Sequence, residues 1–371
     1  MRSSILVALL LAVGLLLGAE CRLETSNSFV SYVRQYGKHY DAAEYSRRLK
    51  IFTKRLHEIE EFNRNGMHSY RKGLNHMTDW TDDELSALNG ARPMMARNIQ
   101  SSLPKHIHNR SSHTLPHHVD YRTSVPPVLT AIKNQGYCGS CWAHSAVEAM
   151  ESHWAILTGR LHVLSLQQVT ACTPNPRHCG GTGGCSGSIE PLAFDYIAKA
   201  GGIQEEWAYP YTAYYGETGQ CENRPIHKVA WVSSYVELPE NDQEALMDAV
   251  AFEGPISVSV DASGWSAYAS GIFDECDYSV NITQNHAVQL VGYGHDRAIG
   301  KSFWIIRNSW GPDWGEEGYI RLLREKTPRC GWAVDAHSGG ACDGDPDEVW
   351  VCGMCGILSG SSYPVMKPLE K

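Results

Sequence analysis

The chain has 371 residues, a formal net charge of -9 and a pI near 6.0. Hydrophobic residues make up 43% and charged residues 20%, which is typical of globular proteins and argues against a mostly disordered chain. The acidic balance leaves no basic surface for nucleic acid or for an anionic membrane, so we expect neither as a partner.

The N-terminus has the three-part pattern of a secretory signal peptide. Arg2 precedes an almost wholly apolar run over residues 5–17, and Gly18-Ala19 follows that run. The run is too short to span a bilayer comfortably, which disfavours a membrane anchor. We therefore predict a signal peptide over residues 1–19, no membrane attachment after its removal, and a lysosomal or extracellular destination.

The next segment predicts charged helices followed by a linker. Phe52, Leu56 and Ile59 fall on one face of an amphipathic helix within residues 24–90. From Arg92 to Thr114 this periodicity is lost and Ser, His and Asn become frequent, which indicates an exposed linker where processing proteases cut.

The second half predicts helices followed by strands, and hence an α+β fold. A strong helix covers residues 141–157 and ends at Thr158-Gly159, and a second runs from Ile189 to Lys199. Strands separated by glycine-rich turns then follow, from Ile256 to Val260, His286 to Tyr293, Phe303 to Arg307 and Gly318 to Leu323.

The cysteine count suggests one free thiol. Of the 12 cysteines, Cys21 lies at the edge of the signal peptide and the other 11 lie at or beyond Cys138. In an oxidising secretory compartment ten of these could form five disulfides, which leaves one thiol over.

A candidate for that thiol is Cys141, which opens the strong helix. Free backbone N–H groups and the helix dipole at that position favour a thiolate. The surrounding sequence, Asn-Gln-Gly-Tyr-Cys-Gly-Ser-Cys-Trp-Ala over residues 134–143, resembles the nucleophile signature of papain and the cathepsins. The resemblance implies a papain-like cysteine protease with Cys141 as nucleophile.

The same resemblance implies the other members of the site. A thiol nucleophile needs a base, and the base needs an orienting group. His286, in Gln-Asn-His-Ala-Val, matches the base, and Asn308, in Arg-Asn-Ser-Trp-Gly, matches the orienting group, with Trp310 shielding their contact from water. Gln135 matches the side-chain donor to the oxyanion, and the backbone N–H of Cys141 would be the second donor.

A second match lies in the N-terminal region. Two motifs there resemble those of cathepsin L-like propeptides, with Arg55 in place of a usual Asn and Met77 in place of a usual Phe. The implied role is intramolecular inhibition, in which the propeptide fills the cleft until it is removed. The matching positions are Glu44, Arg48, Ile51, Phe52, Ile59 and Asn63 in the first motif, and Gly73, Asn75 and Asp79 in the second.

The family pattern also implies three disulfides, Cys138–Cys185, Cys172–Cys221 and Cys276–Cys355. Cys179, Cys330, Cys342 and Cys352 could form two more bridges, but their pairing stays open. The Cys352-Gly-Met-Cys355 spacing also fits a zinc or redox motif, although disulfides are the better explanation in a secreted chain. No metal or cofactor is expected.

Substrate-binding positions follow from the resemblance. The resemblance implies a strip, residues 184–188, that pairs with the substrate backbone. Ser188 replaces the usual glycine in this strip. Gly360 suggests an open pocket for a large apolar or aromatic residue upstream of the cleaved bond, whereas an inward-pointing Glu190 would favour a basic one. The implied substrate-binding residues are Gly139, Gly187, Ser188, Ile189, Glu190, Ser259, Ala287, Trp310 and Gly360.

Three further features depart from the family or add to it. His144 replaces a usual aromatic residue one turn after Cys141. It is expected either to be a core histidine whose hydrogen bonds are satisfied or to perturb the thiolate. The segment from Pro328 to Val351 is longer than the usual connection and predicts a surface loop on the β-rich half. Asn109 and Asn281 begin glycosylation sequons.

These features together predict a papain-like two-domain fold, with a helical domain carrying Cys141 and a β-barrel-like domain carrying His286 and Asn308. We expect a signal peptide over residues 1–19, a propeptide over 20–114 and a peptidase domain over 115–371. We expect a monomer. We expect an endopeptidase rather than an exopeptidase because no His-His occluding loop is evident, although an insert between Cys172 and Cys185 could act at the cleft rim. Its expected partners are protein or peptide substrates, its own propeptide and cystatin-type inhibitors.

The alternatives are an exopeptidase of the same family, a transglutaminase or glutaminase, an inactive homologue that acts as a binding module, and a disulfide-rich structural protein. The propeptide match argues against a transglutaminase or glutaminase. The presence of all four expected site residues argues against an inactive homologue, and the odd cysteine count argues against a disulfide-rich structural protein.

Overall fold

The computed structural model of the chain describes residues 27–89, 104–222, 227–279, 281–334 and 341–368. The predicted signal peptide, Cys21 and residues 92–103 of the predicted linker lie outside these ranges. Within the described ranges, no helix is long and apolar enough to cross a membrane.

The predicted order of a helical part followed by a β-rich part is confirmed. The helices are α1, which includes residues 27–35, α2 (Ala42–Asn65), α3 (Asp82–Leu88), α4 (Cys141–Thr158), α5 (Leu166–Cys172), α6 (Glu190–Ala200) and α7 (Gln243–Phe252). The strands are β1 (Tyr70–Lys72), β2 (Lys105–Ile107), β3 (Val119–Asp120), β4 (Ile203–Gln204), β5 (Lys228–Ala230), β6 (Val232–Glu237), β7 (Ile256–Val260), β8 (Tyr268–Phe273), β9 (His286–Asp296), β10 (Lys301–Arg307), β11 (Tyr319–Leu323), β12 (Cys330–Ala333), β13 (Val349–Cys352) and β14 (Ser362–Met366).

Helix α4 runs through the core of the helical half. Every residue from Cys141 to Ala155 is buried, and Gly159 ends the helix in the left-handed conformation with a φ of 71°. The helix packs against α6 on one side and against β9 and β14 on the other. Cys141 shares a buried cluster with Ala287 on β9, so the first residue of α4 lies where the two halves meet.

The large sheet is extended at both ends by strands from the N-terminal region. Its order is β1-β8-β11-β10-β9-β7-β14-β6-β2, and β3 also pairs with β9. Strand β1 pairs antiparallel with β8, and β2 pairs parallel with β6. Residues 70–72 and 105–107 therefore cover both edges, which would otherwise present unpaired backbone groups.

The described part of the predicted linker is mostly exposed, but it is not without regular structure. Residues 105–107 form β2, and His108 behind it is buried. The His108 ring lies 3.2 Å from the Tyr363 hydroxyl and 3.1 Å from the Asp248 carboxylate. The strand exists because it pairs with β6, a partner more than 120 residues later that local composition does not reveal.

The N-terminal region folds around the Asp79 carboxylate. The carboxylate is fully buried and accepts hydrogen bonds from Tyr32 at 3.0 Å, Lys38 at 2.7 Å and Tyr40 at 2.6 Å. Arg48, on α2, donates to the Asp79 backbone carbonyl oxygen at 2.8 Å. A buried carboxylate is tolerated when it is paired and hydrogen-bonded in this way, so Asp79 joins α1, α2 and the segment before α3.

Five disulfides are present among the described residues, as the cysteine count suggested. They join Cys138 to Cys185, Cys172 to Cys221, Cys179 to Cys342, Cys276 to Cys355 and Cys330 to Cys352. Cys352 and Cys355 each bond to a distant cysteine, so the Cys-X-X-Cys spacing is neither a zinc pair nor a redox pair here.

The prediction for the Pro328–Val351 segment as a surface loop is incomplete. Its base is a hairpin of β12 and β13, with Cys330 opposite Cys352. Its tip crosses to the helical half, where Cys342 bonds to Cys179. Composition alone could not reveal this crossing, because it depends on a pairing between cysteines 163 residues apart.

Substitution of Asp79 by Ala should destabilise the N-terminal region by about 3 kcal/mol or more, because it leaves the Lys38 ammonium without its buried partner. Asp82→Ala is the matched control, since the Asp82 side chain is 92% exposed and its loss should cost less than about 1 kcal/mol. Hydrogen exchange over residues 27–89 measures both changes. Equal protection in the two variants would contradict the role of Asp79.

Candidate active site

Cys141 is the first residue of α4 and keeps its thiol, since it is in none of the disulfides. The Ser140 side chain makes no capping bond to the helix, so it does not satisfy the backbone N–H groups there. Its hydroxyl instead lies 2.7 Å from the Tyr211 hydroxyl. The sulfur therefore lies at a helix end whose dipole favours negative charge.

His286 and Asn308 are brought together by neighbouring strands. His286 opens β9, Asn308 directly follows β10, and the two strands pair antiparallel. The Nε2 of His286 lies 2.7 Å from the Asn308 side-chain oxygen, which also accepts the Ser309 N–H at 2.8 Å. Because that oxygen accepts, Nε2 carries the hydrogen, and in the neutral ring Nδ1 holds a lone pair.

The Nδ1 atom of His286 is buried and has no hydrogen-bond partner among the described residues. Its neighbour Ala287 belongs to the same buried cluster as Cys141, and the Ser145 hydroxyl on α4 donates to the Val288 carbonyl oxygen at 2.9 Å. The start of β9 is thus held against the first turns of α4. An imidazole with one nitrogen fixed and the other open can accept a proton.

Aromatic rings exclude water from the histidine. The Trp310 ring centroid lies 4.8 Å from that of His286 with an angle of 33° between planes, and Trp265 approaches edge-on at 6.2 Å. Burial lowers the pKa of His286 to about 4, although the hydrogen bond to Asn308 opposes this shift. The ring is therefore neutral in this structure at pH values well above 4.

Gln135 donates to a carbonyl oxygen of the N-terminal region. Its Nε2 lies 2.9 Å from the Leu88 carbonyl oxygen and 2.8 Å from that of Cys138. Its side-chain oxygen accepts from the Ser309 hydroxyl at 2.7 Å, and its backbone N–H donates to the Ser309 carbonyl oxygen at 2.9 Å. A peptide carbonyl therefore already occupies the donor that the sequence assigned to the oxyanion.

Tyr211 was missed by the prediction from sequence. Its hydroxyl donates to the Gln135 backbone carbonyl oxygen at 3.0 Å and contacts Ser140, so it fixes the segment that leads into Cys141. Ser309 was also missed, although it lies between Asn308 and Trp310 in the motif. For Tyr211 only the fold could reveal the role, because it lies 70 residues after Cys141 in a loop without a motif.

His144 behaves as a buried core histidine. Its Nδ1 donates to the Ser140 carbonyl oxygen at 2.9 Å, and its ring packs edge-on against Tyr211. Burial lowers the pKa of His144 to about 3, and so the ring is neutral near pH 7. A neutral ring adds no positive charge beside the thiol.

The predicted substrate strip runs beside Cys141. Gly139 forms a parallel bridge to Ser186, and the Trp142 indole donates to the Gly184 carbonyl oxygen at 3.1 Å. Gly187 has a φ of 90°, which lets the strip turn in a way that most side chains disfavour. The next residue, Ser188, is fully buried and does not prevent the strip from forming.

The predicted pocket residues come from two groups. Ser259 on β7 pairs with Ala287 on β9, and the Ser259 hydroxyl lies 3.4 Å from the Gly360 carbonyl oxygen. Glu190 begins α6 and is buried, with no hydrogen-bond partner at its Oε1 atom. Burial raises the pKa of Glu190 to about 7. Ile189 instead packs against the Cys179–Cys342 disulfide.

No group of three or more potential metal ligands occurs in the parts of the chain that the structure describes. The site residues brought together are a thiol, an imidazole, two amides and aromatic rings. This set can carry out nucleophilic attack with proton transfer.

Two family profiles match the chain. The one described as papain family cysteine protease matches residues 115–339, and the one described as cathepsin propeptide inhibitor domain matches residues 29–85. Cathepsin S of Bos taurus is 38% identical over 310 residues, which covers 81% of this chain and 88% of that protein. Pro-cathepsin H of Bos taurus is 35% identical over 310 residues, which covers 83% of this chain and 88% of that protein.

Solved structures of precursors match the whole arrangement. The digestive procathepsin L 3 of Tenebrio molitor larval midgut has a TM-score of 0.73 at 30% identity, and the match covers 92% of this chain and 98% of that one. A recombinant stem bromelain precursor has a TM-score of 0.73 at 32% identity, covering 93% and 100%. The predicted papain-like α+β fold with an N-terminal propeptide is confirmed.

The His286 ring should titrate near pH 4 in the intact chain. Burial disfavours the charged ring, so the imidazole stays neutral as the pH falls through 6.5, the ordinary value for histidine, and gains its proton only near 4. NMR of the labelled Cys141→Ala chain measures this midpoint, and His286→Gln identifies the resonance. A midpoint at or above 6.5 would contradict the burial described here.

Proposed function

Because this chain belongs to the papain family of cysteine proteases and carries a cathepsin-type inhibitory propeptide, we propose that it is the zymogen of an endopeptidase with Cys141 as nucleophile. The observation that carries the proposal is the fixed imidazole of His286, with Nε2 bonded to Asn308 and a buried Nδ1 open to receive a proton. The neighbouring thiol is the group that can supply that proton.

The proposed reaction begins when His286 Nδ1 takes the proton of the Cys141 thiol. The thiolate, stabilised by the α4 N-terminus, attacks the carbonyl carbon of the substrate, and the carbonyl oxygen becomes an oxyanion. Gln135 Nε2–H and the Cys141 backbone N–H donate to that oxyanion. His286 then gives its proton to the leaving amine, which leaves a thioester on Cys141.

Water completes the proposed cycle. His286 accepts a proton from a water molecule as that water attacks the thioester carbonyl carbon. The C–S bond breaks, the carboxylic acid leaves, and the proton returns to the Cys141 sulfur. Asn308 keeps the ring oriented through both halves of the reaction, and Trp310 keeps water away from the His286–Asn308 contact.

The propeptide is proposed to inhibit by occupying the same donor. The Leu88 carbonyl oxygen lies 2.9 Å from Gln135 Nε2, where a substrate oxygen would need to be. Trp80 stacks on Tyr137 with centroids 4.4 Å apart, which holds this segment over the loop before Cys141. We propose residues 20–114 as the inhibitory segment and 115–371 as the peptidase.

The proposed route is the secretory pathway, with the lysosome or the extracellular space as destination. The predicted signal peptide and five disulfides support an oxidising compartment. Asn109 and Asn281 are both exposed, which is consistent with glycosylation at their sequons. We also propose that the mature enzyme acts as a monomer and binds cystatin-type inhibitors in its cleft.

Two features bear on substrate choice. Gly360 leaves room for the large apolar or aromatic residue expected upstream of the cleaved bond, whereas the buried carboxyl of Glu190 supports acceptance of a basic residue there.

A specific observation favours an exopeptidase as the second candidate. The disulfide between Cys179 and Cys342 joins the two halves beside Ile189, a predicted pocket residue.

Replacement of either reacting group should abolish peptide hydrolysis. Cys141→Ala and His286→Ala should each lower kcat by about 10⁴-fold or more, and Asn308→Ala should have a smaller effect because it orients rather than reacts. Hydrolysis of a Phe-Arg reporter measures these changes after an added protease has removed the propeptide. Ser233→Ala, a change on β6 away from the site, is the control.

Full hydrolysis by folded, propeptide-free Cys141→Ala protein would contradict the proposed nucleophile. Absence of hydrolysis by the folded, propeptide-free wild type would contradict the peptidase itself and favour an inactive homologue.

Glu190→Gln should change substrate preference. At pH values above about 7, where the Glu190 carboxyl is mostly ionised, its loss should lower kcat/KM for an Arg-Arg reporter relative to a Phe-Arg reporter by about tenfold, because the upstream arginine loses its counter-charge. The exposed Glu253→Gln, at the end of α7, is the matched control and should leave the ratio unchanged. An unchanged ratio in Glu190→Gln would show that this carboxyl does not contact the substrate.

A further inference from the structure

A basic segment, residues 105–113, lies between the peptidase and residues 27–89, which are here called the inhibitory region. The segment contains Lys105, Arg110 and three histidines, and it has no Asp or Glu. The two matched family profiles cover residues 29–85 and 115–339, so neither includes it. Whether the segment belongs to the part that is removed or to the part that remains therefore depends on its own contacts.

The backbone of the basic segment completes one edge of the large sheet. Strand β2 pairs in parallel with β6, with Lys105 opposite Tyr235 and Ile107 opposite Glu237. The His108 N–H continues this pairing and donates to the Glu237 carbonyl oxygen at 2.9 Å, and Lys105 forms an ion pair with the Glu237 carboxylate at 2.8 Å. On its other side β6 pairs with β14, so β2 covers an edge that the peptidase would otherwise present to solvent.

His108 fixes the segment inside the peptidase. Its buried ring lies 3.2 Å from the Tyr363 hydroxyl on β14 and 3.1 Å from the Asp248 carboxylate on α7. Ser111 donates to the same carboxylate through its N–H at 3.0 Å and through its hydroxyl at 2.6 Å. Within the described ranges no other group donates to the Asp248 carboxylate, so loss of the segment would leave that carboxylate without its hydrogen bonds.

One face of α7 is complementary to the segment in position and in charge. Glu244, Asp248 and Phe252 are spaced four residues apart, which places them along one side of the helix. Arg110 forms an ion pair with Glu244, and the His113 ring centroid lies 5.5 Å from that of Phe252. Because exposed ion pairs contribute little to stability by themselves, the buried contacts at Asp248 hold the segment and the surrounding charges complement them.

The basic segment and the inhibitory region bind the peptidase separately. In the described part of the chain, no hydrogen bond, ion pair or ring contact joins residues 105–113 to residues 27–89. The inhibitory region instead reaches the peptidase through the pairing of β1 with β8 and through the contact of Leu88 with Gln135. Departure of the inhibitory region would therefore leave the described contacts of the basic segment in place.

We infer that the basic segment stays on the peptidase when the inhibitory region is removed, so that the active enzyme includes residues 105–113 as an edge strand. The inference rests on the proposed zymogen function and moves the C-terminal limit of the removed part from residue 114 to a point before Lys105. Proteolysis favours exposed backbone that is free of hydrogen bonds. The backbone of residues 105–108 is paired with β6, and the Ser111 N–H is bonded to Asp248, which disfavours cleavage between them.

The exposed residues 112–114 are anchored on both sides. Ser111 is held at Asp248, and the Pro116 carbonyl oxygen accepts from the Tyr293 hydroxyl at 2.9 Å. Only four residues separate Ser111 from Pro116. The chain therefore cannot extend into the cleft of a processing protease at this point without first breaking one of the two anchors.

Limited digestion of the intact chain by a protease of broad specificity tests the inference, because accessibility rather than sequence then decides where the chain is cut. The processed fraction is isolated by size exclusion, and its N-terminal residue, its mass and its hydrolysis of a Phe-Arg reporter are measured. The peptidase chain should begin before Lys105 and should hydrolyse the reporter. An active chain that begins after residue 113 would overturn the inference and leave the proposed function in place. A chain that keeps the segment but hydrolyses no reporter would instead contradict the proposed function.

Replacement of the two residues that bind Asp248 should release the segment. In His108→Ala/Ser111→Ala, the broad-specificity protease should remove residues 105–113 from the processed chain at least tenfold faster than in the native sequence. His106→Ala/Ser112→Ala is the matched control, because both of these side chains are exposed within the same segment, and its rate should change less than twofold. Equal rates in the two double variants would contradict the inference.

Hydrogen exchange gives a readout that needs no variant. In the processed protein the amides of His108 and Ser111 should keep their protection within threefold of that in the intact chain. The Ile272 N–H, which donates to the Ser69 carbonyl oxygen at 2.8 Å, should lose protection at least tenfold and so report departure of the inhibitory region. Loss of protection at His108 and Ser111 together with Ile272 would overturn the inference, because the two N-terminal parts would then leave as one.

Discussion

Three consecutive residues after β10 hold the separate parts of the site in one arrangement. Asn308 fixes the His286 ring, Ser309 bonds to Gln135 through both its hydroxyl and its carbonyl oxygen, and Trp310 covers the histidine. Because these residues follow one another, the positions of the proposed base and of the proposed oxyanion donor are coupled. The segment that leads into α4 contributes Gln135, and α4 presents the Cys141 thiol at its first residue. The proposed chemistry depends on residues 308–310, because they contact both His286 and Gln135.

The propeptide exploits the same arrangement. The N-terminal region, including the proposed propeptide bounds up to residue 114, places the Leu88 carbonyl oxygen on Gln135 and adds one strand at each end of the large sheet. The region from residue 27 to 89 is itself organised by a buried carboxylate, Asp79, whose partners come from α1, α2 and the turn between them. A segment held at both sheet edges, with its carbonyl oxygen on the proposed oxyanion donor, would exclude a substrate from that donor. This explains how one chain can contain an assembled site that is covered.

Local patterns predicted much of this molecule. The helix beginning at Cys141 and the strands leading to His286 and Asn308 were predicted because periodicity and glycine turns are properties of neighbouring residues. The odd cysteine count predicted five bridges but could not identify Cys179–Cys342, since that pair depends on where the insertion crosses. Strand β2, the contacts of Tyr211 and the register that brings Leu88 to Gln135 are likewise long-range, and no local pattern contains them. His144 shows the same limit, because its neutrality follows from complete burial in the folded core.

The most direct test of the account is the rate at which a small epoxide inhibitor of papain-like enzymes labels the chain before and after removal of the propeptide. The account predicts one label per processed chain, located by peptide mapping on Cys141, and labelling of the intact chain that is slower by about a hundredfold or more. Equal rates would mean that the Leu88 segment does not cover Cys141. Absence of label on Cys141 in folded, processed protein would contradict its role as the nucleophile.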